Sequence, residues 1–192
     1  MTRPTLKDFT PTKETISLHG LGFLQIRLTA DMRMHVWHPE LPRRRCFEYS
    51  AVHNHRFSFT SRVLKGTQVN RRCDLEIVKP ETGSHLLISH NGPRSEKGSR
   101  LSYPVADANV IERPIERYAP GEAYFMPAYE YHHTPCDGIV VTVIQKHEEH
   151  TIHANSVCRR GVEFDYDFDR FQLSRDELFS YVMDALQTSE VT

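Results

Sequence analysis

Residues 51–57 read Ala-Val-His-Asn-His-Arg-Phe, which places His53 and His55 one residue apart. In an extended strand, residues i and i+2 face the same side, so both imidazoles can converge on one metal ion. Neutral imidazole suits Zn, Fe, Cu and Ni. The competing reading is two solvent-facing histidines on an amphipathic strand, and a metal site would need a third ligand from elsewhere in the chain. The sequence holds 12 histidines among 192 residues, more than a core requires. Three of them, His147, His150 and His153, recur every third residue in KHEEHTIH (146–153). This is not the H-E-x-x-H zinc pattern, because the second histidine comes one residue early. The stretch reads as a solvated turn, with a second metal site as the alternative.

Chemistry on a small acid would also need a cation to grip a carboxylate, ideally a bidentate arginine. Arg27 shares a strand face with Gln25, and Arg33 shares one with His35 and Trp37. Either face lines a lumen or meets solvent. Arg56, directly after His55, should point outward, and Gln145 is a further lumen candidate. PRRRC (42–46) reads as an exposed loop, or else as an attractor for an anionic substrate. Cys46, Cys73, Cys136 and Cys158 form no C-x-x-C pair and read as reduced, inert thiols.

The elements that must position these groups are short and alternate with period two. ISLHGLGFLQIRL (16–28) and MRMHVW (32–37) read as paired strands with a turn at TAD. Residues 49–65, 67–78 and 84–89 read as further strands, as do NVIERPIERY (109–118), EAYFMP (122–127) and GIVVTVIQKHE (138–148). HNGPRSEKGSRLSYP (90–104), with two glycines and two prolines, reads as a mobile loop. DYDFD (165–169) reads as an edge strand or packed tail with its acids in water. The spacing predicts an all-β sandwich or barrel. One helix closes the chain, at about 175–187. Ser174 and Glu177 make a capping box, and Leu178, Phe179, Val182 and Leu186 form an apolar stripe. That stripe is expected to pack on the outside of the barrel, with a dimer contact as the alternative.

Hydrophobic content of 39%, charged content of 26% and a net charge of -1 fit a globular chain with a modest core. They give no field that would draw nucleic acid or an anionic membrane. MTRPTLKDFT has no apolar core of a signal peptide, and no apolar run is long enough to span a bilayer. One domain over 1–192, with a barrel at about 16–150, in a cytoplasmic monomer or homodimer is the expectation.

Residues 47–146 resemble the cupin superfamily. Its first motif, G-x5-H-x-H-x3,4-E-x6-G, is matched by His53, His55 and Gly66, with Phe47 at the opening glycine and Phe59 at the glutamate. Its second, G-x5-P-x-G-x2-H-x3-N, is matched by Gly121, Pro127 and His132, with Tyr129 at the glycine and Cys136 at the asparagine. The resemblance implies a cupin-like double-stranded β-helix (a jelly-roll barrel) and metal ligation by His53, His55 and His132. His133 would face the other way. Phe59 cannot coordinate, so a divalent ion would keep its +2 charge and its open positions. Whether Glu130 replaces the missing glutamate is left open. Three-histidine cupins without that glutamate resemble the thiol dioxygenases, and SRVLKG (61–66) is similar to a segment of the plant cysteine oxidases.

What the resemblance implies is non-haem Fe(II), with Zn, Ni or Mn as alternatives, and a dioxygenase reaction of O2 with a small metal-chelating thiol or carboxylate. Tyr124 lies an even number of residues from His132 and is a candidate hydrogen-bond donor beside Arg27; core packing is its alternative fate. Two further readings stay open: a non-catalytic ligand-binding or regulatory cupin, and a sugar isomerase or epimerase.

Overall fold

The computed structural model describes residues 11 and 15–187; the segment MTRPTLKDFT lies outside the described residues. Eleven strands form two antiparallel sheets. The first contains, in spatial order, β1 (Ile16–His19), β2 (Phe23–Arg27), β3 (Met32–Trp37), β10 (Val140–Glu149), β4 (Phe57–Lys65) and β8 (Ala123–Met126). The second contains β11 (Ala154–Arg159), β6 (His85–Arg94), β7 (Arg100–Tyr118), β5 (Gln68–Val78) and β9 (Tyr131–His133). Two helices, α1 (Phe47–Ser50) and α2 (Arg175–Gln187), complete the described chain. The result is the expected all-β, jelly-roll type of sandwich with a C-terminal helix. No helix among the described residues is long and apolar enough to cross a membrane.

Period-two alternation sorts the first sheet into two unlike faces. Leu24, Ile26, Met34, Val36, Val141 and Val143 are buried on one face, in the same apolar cluster as Leu178, Val182 and Ala185 of α2. The helix therefore covers the outside of the sandwich, as its stripe predicts. The capping box forms in both directions: Glu177 N donates to Ser174 Oγ (3.2 Å) and Ser174 N to Glu177 Oε2 (2.7 Å). At the other end, buried Lys65 Nζ donates to the Ala185 carbonyl (2.6 Å), a cation placed where the helix leaves carbonyls unpaired. The opposite face of the sheet carries Phe23, His35, Ser61 and Thr142. With His90, Gln68, His132 and Ser156 of the second sheet and its approaches, it encloses a cavity of about 580 Å³. The largest apolar cluster thus lies outside the sandwich, and the space between the sheets holds a cavity whose walls mix polar groups with aromatic and aliphatic side chains.

Several boundaries differ from the sequence expectation. Residues 16–28 are two strands, because the chain turns at Gly20–Gly22, with Gly22 N donating to His19 O (2.9 Å). The expected strand at 49–65 starts only at Phe57; before it lie α1 and an extended segment, where His53 makes isolated bridges to His132 and Ser156. Residues 90–104 are not a loop. They extend β6 and β7 into one hairpin, pairing Asn91 with Leu101 and Arg94 with Arg100. Pro93 and Pro104 are accommodated beside irregularities in that ladder, where a missing N–H costs no regular bond. β9 and β11 are short and polar, and alternation does not announce them.

Two motif glycines sit where only glycine is comfortable. Gly66 has φ of +70°, and a Cβ there would stand 2.3 Å from the Ile139 carbonyl oxygen. Gly121 has φ of +87°. Tyr129, standing where the motif has a glycine, also adopts a left-handed φ of 63°.

Candidate metal centre

His53, His55 and His132 meet on the cavity wall, each offering a ring nitrogen within 4.8 Å of the others. Among the described residues they are the one group of three His, Cys, Asp or Glu side chains so placed. No regular ladder holds His53 and His55, yet backbone pairing fixes them. His53 N donates to His132 O (3.0 Å), His132 N returns to His53 O (2.9 Å), and Tyr129 N donates to His55 O (2.7 Å). Asn54, between the two histidines, is buried and accepts from Asn155 N through Oδ1 (2.7 Å). This pairing preserves the i, i+2 geometry: the His53 and His55 rings lie 4.8 Å apart, and that of His132 lies 4.7 and 5.2 Å from them.

Two of the three tautomers follow from the hydrogen bonds. The His53 Nδ1 faces the Ala51 carbonyl at 2.8 Å, and the His132 Nδ1 faces the Glu130 carbonyl at 3.2 Å. A carbonyl only accepts, so each Nδ1 carries the proton and each Nε2 keeps its lone pair. Burial holds His53 down at about 4, with Arg44 and His133 adding repulsion against the Ala51 hydrogen bond. Burial also pushes His55 and His132 well below the ordinary imidazole value, with mutual histidine repulsion next. Neutral imidazoles with Nδ1–H fixed by a carbonyl are the donors a transition metal requires.

Phe59 takes the place of the expected carboxylate. It is buried and meets His55 edge-on at 5.4 Å between centroids, with His132 at 6.5 Å. Met126 and Ile144 pack on it, together with the partly buried Phe57 and Tyr124. Glu130 does not substitute: its carboxylate is paired with Arg113 Nη1 (2.9 Å). His133 faces Glu112 on the other side, as expected.

Tyr124 lines the cavity with its hydroxyl toward Ser61 and Asn70, and its ring stacks on Tyr118 at 4.6 Å. Burial pushes its phenol above the ordinary value, so it stays a donor. Arg27 is not beside the histidines. It lines an adjoining, smaller cavity of about 210 Å³, while its cross-strand partner Arg33 lines both that cavity and the large one. The face carrying Arg33, His35 and Trp37 lines the cavity instead of meeting solvent. Gln145 lies off the lumen, since Thr142, Ile144 and Lys146 take the inward positions of β10. Arg56 stands at the cavity rim, paired with Glu149 (2.8 Å), because the chain bends there.

His147 bonds Thr60 (2.9 Å), His150 stacks near Tyr129, and His153 reaches the rim; the three do not converge. PRRRC is not simply exposed: Arg44 turns into the cavity, donates to Ser50 O (3.2 Å) and lies over Phe164 (4.9 Å). DYDFD is a packed tail without strand structure. Phe168 is buried, and Asp165 is shielded beside Arg45 (3.5 Å) rather than in water.

Several lining residues escaped the motif reading: His19, His90, Arg94 and Arg170, all remote in sequence from the metal motifs. His35, on the strand face that the sequence assigns to lumen or solvent, lines the cavity as well. Burial lowers it to about 3, with Arg33 adding repulsion, and its Nε2 is buried without a partner. Its parity with Arg33 and Trp37 was the available signal. His90 bridges Ser102 (2.7 Å) and Ser156 (2.8 Å), and burial lowers it to about 4.

No family model matches the sequence. No curated protein matches it either. Hydroquinone 1,2-dioxygenase from Sphingomonas sp. TTNP3, solved with 4-hydroxybenzoate bound, is similar at a TM-score of 0.32 and 8% sequence identity over 64% of this chain. The similarity spans 62% of that chain, less than two thirds of its length.

Proposed function

We propose that the protein is a mononuclear metal-dependent dioxygenase of the cupin type, with iron(II) held by His53, His55 and His132, acting on a small anionic chelator such as a thiolate or carboxylate. The observation that carries this reading is the pair of backbone-fixed tautomers, which leaves Nε2 lone pairs of His53 and His132 beside a neutral His55. A redox-active divalent ion bound there would supply a Lewis-acidic centre able to bring O2 and a chelating anion together.

The remaining lining defines what the chain itself contributes. Phe57, Phe59 and Ile144 exclude water from one side of the histidines. Arg33 and Arg44 supply positive charge on the walls that draws and orients an anion. Tyr124 offers a phenol proton, and His35 an unpaired ring nitrogen, to polar atoms of the substrate. Among the described residues no carboxylate joins the three histidines to compete with an anionic ligand.

The test is elemental analysis of protein purified without metal supplementation, alongside His132→Ala and His147→Ala. Near-stoichiometric iron is expected in the wild type and in His147→Ala, and its loss in His132→Ala. Full metal content in His132→Ala would refute the site. A metal-free wild type that consumes no O2 with any thiol or carboxylate would favour the non-catalytic binding reading.

A further inference from the structure

The smaller cavity, of about 210 Å³, shares Gln25, Arg33, Arg94, Gly98 and Arg170 with the large one, so the two meet at a common wall. Four arginines, Arg27, Arg33, Arg94 and Arg170, line it, and no acidic residue does. Among the described residues none of the four forms an ion pair, whereas the acids of the large cavity are already paired. Glu149 is held by Arg56 (2.8 Å) and Lys146 (2.5 Å), and Asp165 by Arg45 (3.5 Å).

The arrangement is unfavourable as it stands. Arg27 and Arg33 are direct cross-strand partners, a like-charge placement that destabilises a sheet. Burial disfavours the charge of Arg33 and Arg170 first, Arg33 in turn repels Arg170 and the exposed Arg94, and Glu149 offsets part of the cost at Arg33. Protein hydrogen bonds hold two of the side chains from behind: Arg170 donates to Leu18 O (2.8 Å) and to Gln25 Oε1 (3.3 Å), and Arg94 to Gly98 O (2.5 Å). The remaining guanidinium N–H groups are left for a ligand, and each arginine carries five donors.

We infer that this arginine cavity is a binding site for a phosphate-type dianion. The guanidiniums come from β2, β3, the end of β6 and the loop before α2, so they approach from several directions. A tetrahedral group with three free oxygens can engage several forks at once, whereas a single planar carboxylate matches one. Two negative charges offset the repulsion that the chain, through Glu149, compensates only in part.

If the metal reading above holds, on which this step rests, the substrate is a phosphorylated or phosphonate-bearing chelator. Arg33 stands two residues along β3 from His35, about 7 Å, and both act electrostatically on His55. A carbon chain between the phosphate and the chelating end would join the two sites through their shared wall.

The experiment is calorimetric titration of metal-stripped protein with inorganic phosphate, with malonate as a dicarboxylate control, backed by thermal unfolding. The wild type should bind phosphate saturably and more tightly than malonate. Arg33→Gln and Arg94→Gln should each weaken phosphate at least tenfold, about 1.4 kcal/mol. They should nevertheless unfold at or above the wild-type temperature without phosphate, because like-charge repulsion has been removed. Arg45→Gln, on an exposed arginine, and His132→Ala should bind phosphate as the wild type does.

No saturable phosphate binding, tighter malonate, or equal weakening in Arg45→Gln would overturn the inference. Phosphate binding by a wild type that takes up no metal would sustain the anion site while overturning the metal reading and, with it, the phosphorylated substrate.

Discussion

Burial of the three histidines makes a quantitative prediction about proton competition. A metal site built from three ordinary imidazoles, each with pKa of about 6.5, loses about tenfold per ligand between about pH 7.5 and about pH 5.5, or about 10³-fold in all. Here burial holds His53 at about 4 and the other two well below their ordinary value. The metal-free protein therefore already presents neutral ligands at pH 5.5, and protons begin to compete only as pH falls toward 4. The affinity for Ni(II) or Co(II), chosen because neither oxidises readily, should change by less than about twofold over that interval. Equilibrium dialysis with elemental detection, in a non-chelating buffer at matched ionic strength, measures it. A loss of a hundredfold or more by pH 5.5 would refute the reasoning, since it would mean that water reaches the imidazoles.

The same physics acts on stability away from the metal ligands. His35 and His90 are lowered by burial to about 3 and about 4, so the unfolded chain binds more protons below pH 6.5. Stability of the metal-free protein should be flat above about pH 6.5 and fall below it, by up to about 1.4 kcal/mol per pH unit for each group. Urea midpoints across that range should show this, with a shallower slope in His90→Gln. Leu178→Ala, beneath α2, should cost about 2–5 kcal/mol and lower Tm by roughly 2–4 °C per kcal/mol. Because Leu178 packs on the outer face of the first sheet, the metal content of that variant should match the wild type.

The sequence carried the parts of this site that depend on local rules. The capping box and the helical stripe express short-range geometry and reappear where expected, whereas the i, i+2 histidines share a face in an extended segment rather than in the expected strand. Gly66 and Gly121 could be read in advance because their left-handed backbones leave a residue-type signature. What escaped was set by contacts distant in the chain. Residues 90–104 carry loop-like composition, yet pairing across the hairpin overrides it. β11 is polar on its exposed positions and earns its strand from alignment with β6, in the register Ala154 with His90 through Arg159 with His85. The arginine cavity escaped for the same reason: Arg27, Arg33, Arg94 and Arg170 share no motif, and only the fold brings them together.

The placement of the largest apolar cluster bears on how such a protein can diversify. Leu24, Ile26, Met34, Val36, Val141 and Val143 stabilise the fold from the outer face, with α2 sealed over them. The inner face of the same strands is thereby released from much of the packing constraint that usually limits interior substitution. Ser61 and Thr142 border the cavity, so a side chain of different size or polarity there has space to enter. New specificities are then accessible by single steps inside the cavity, while a substitution on the opposite side of the same strand, about 3.3 Å of backbone away, threatens the whole fold.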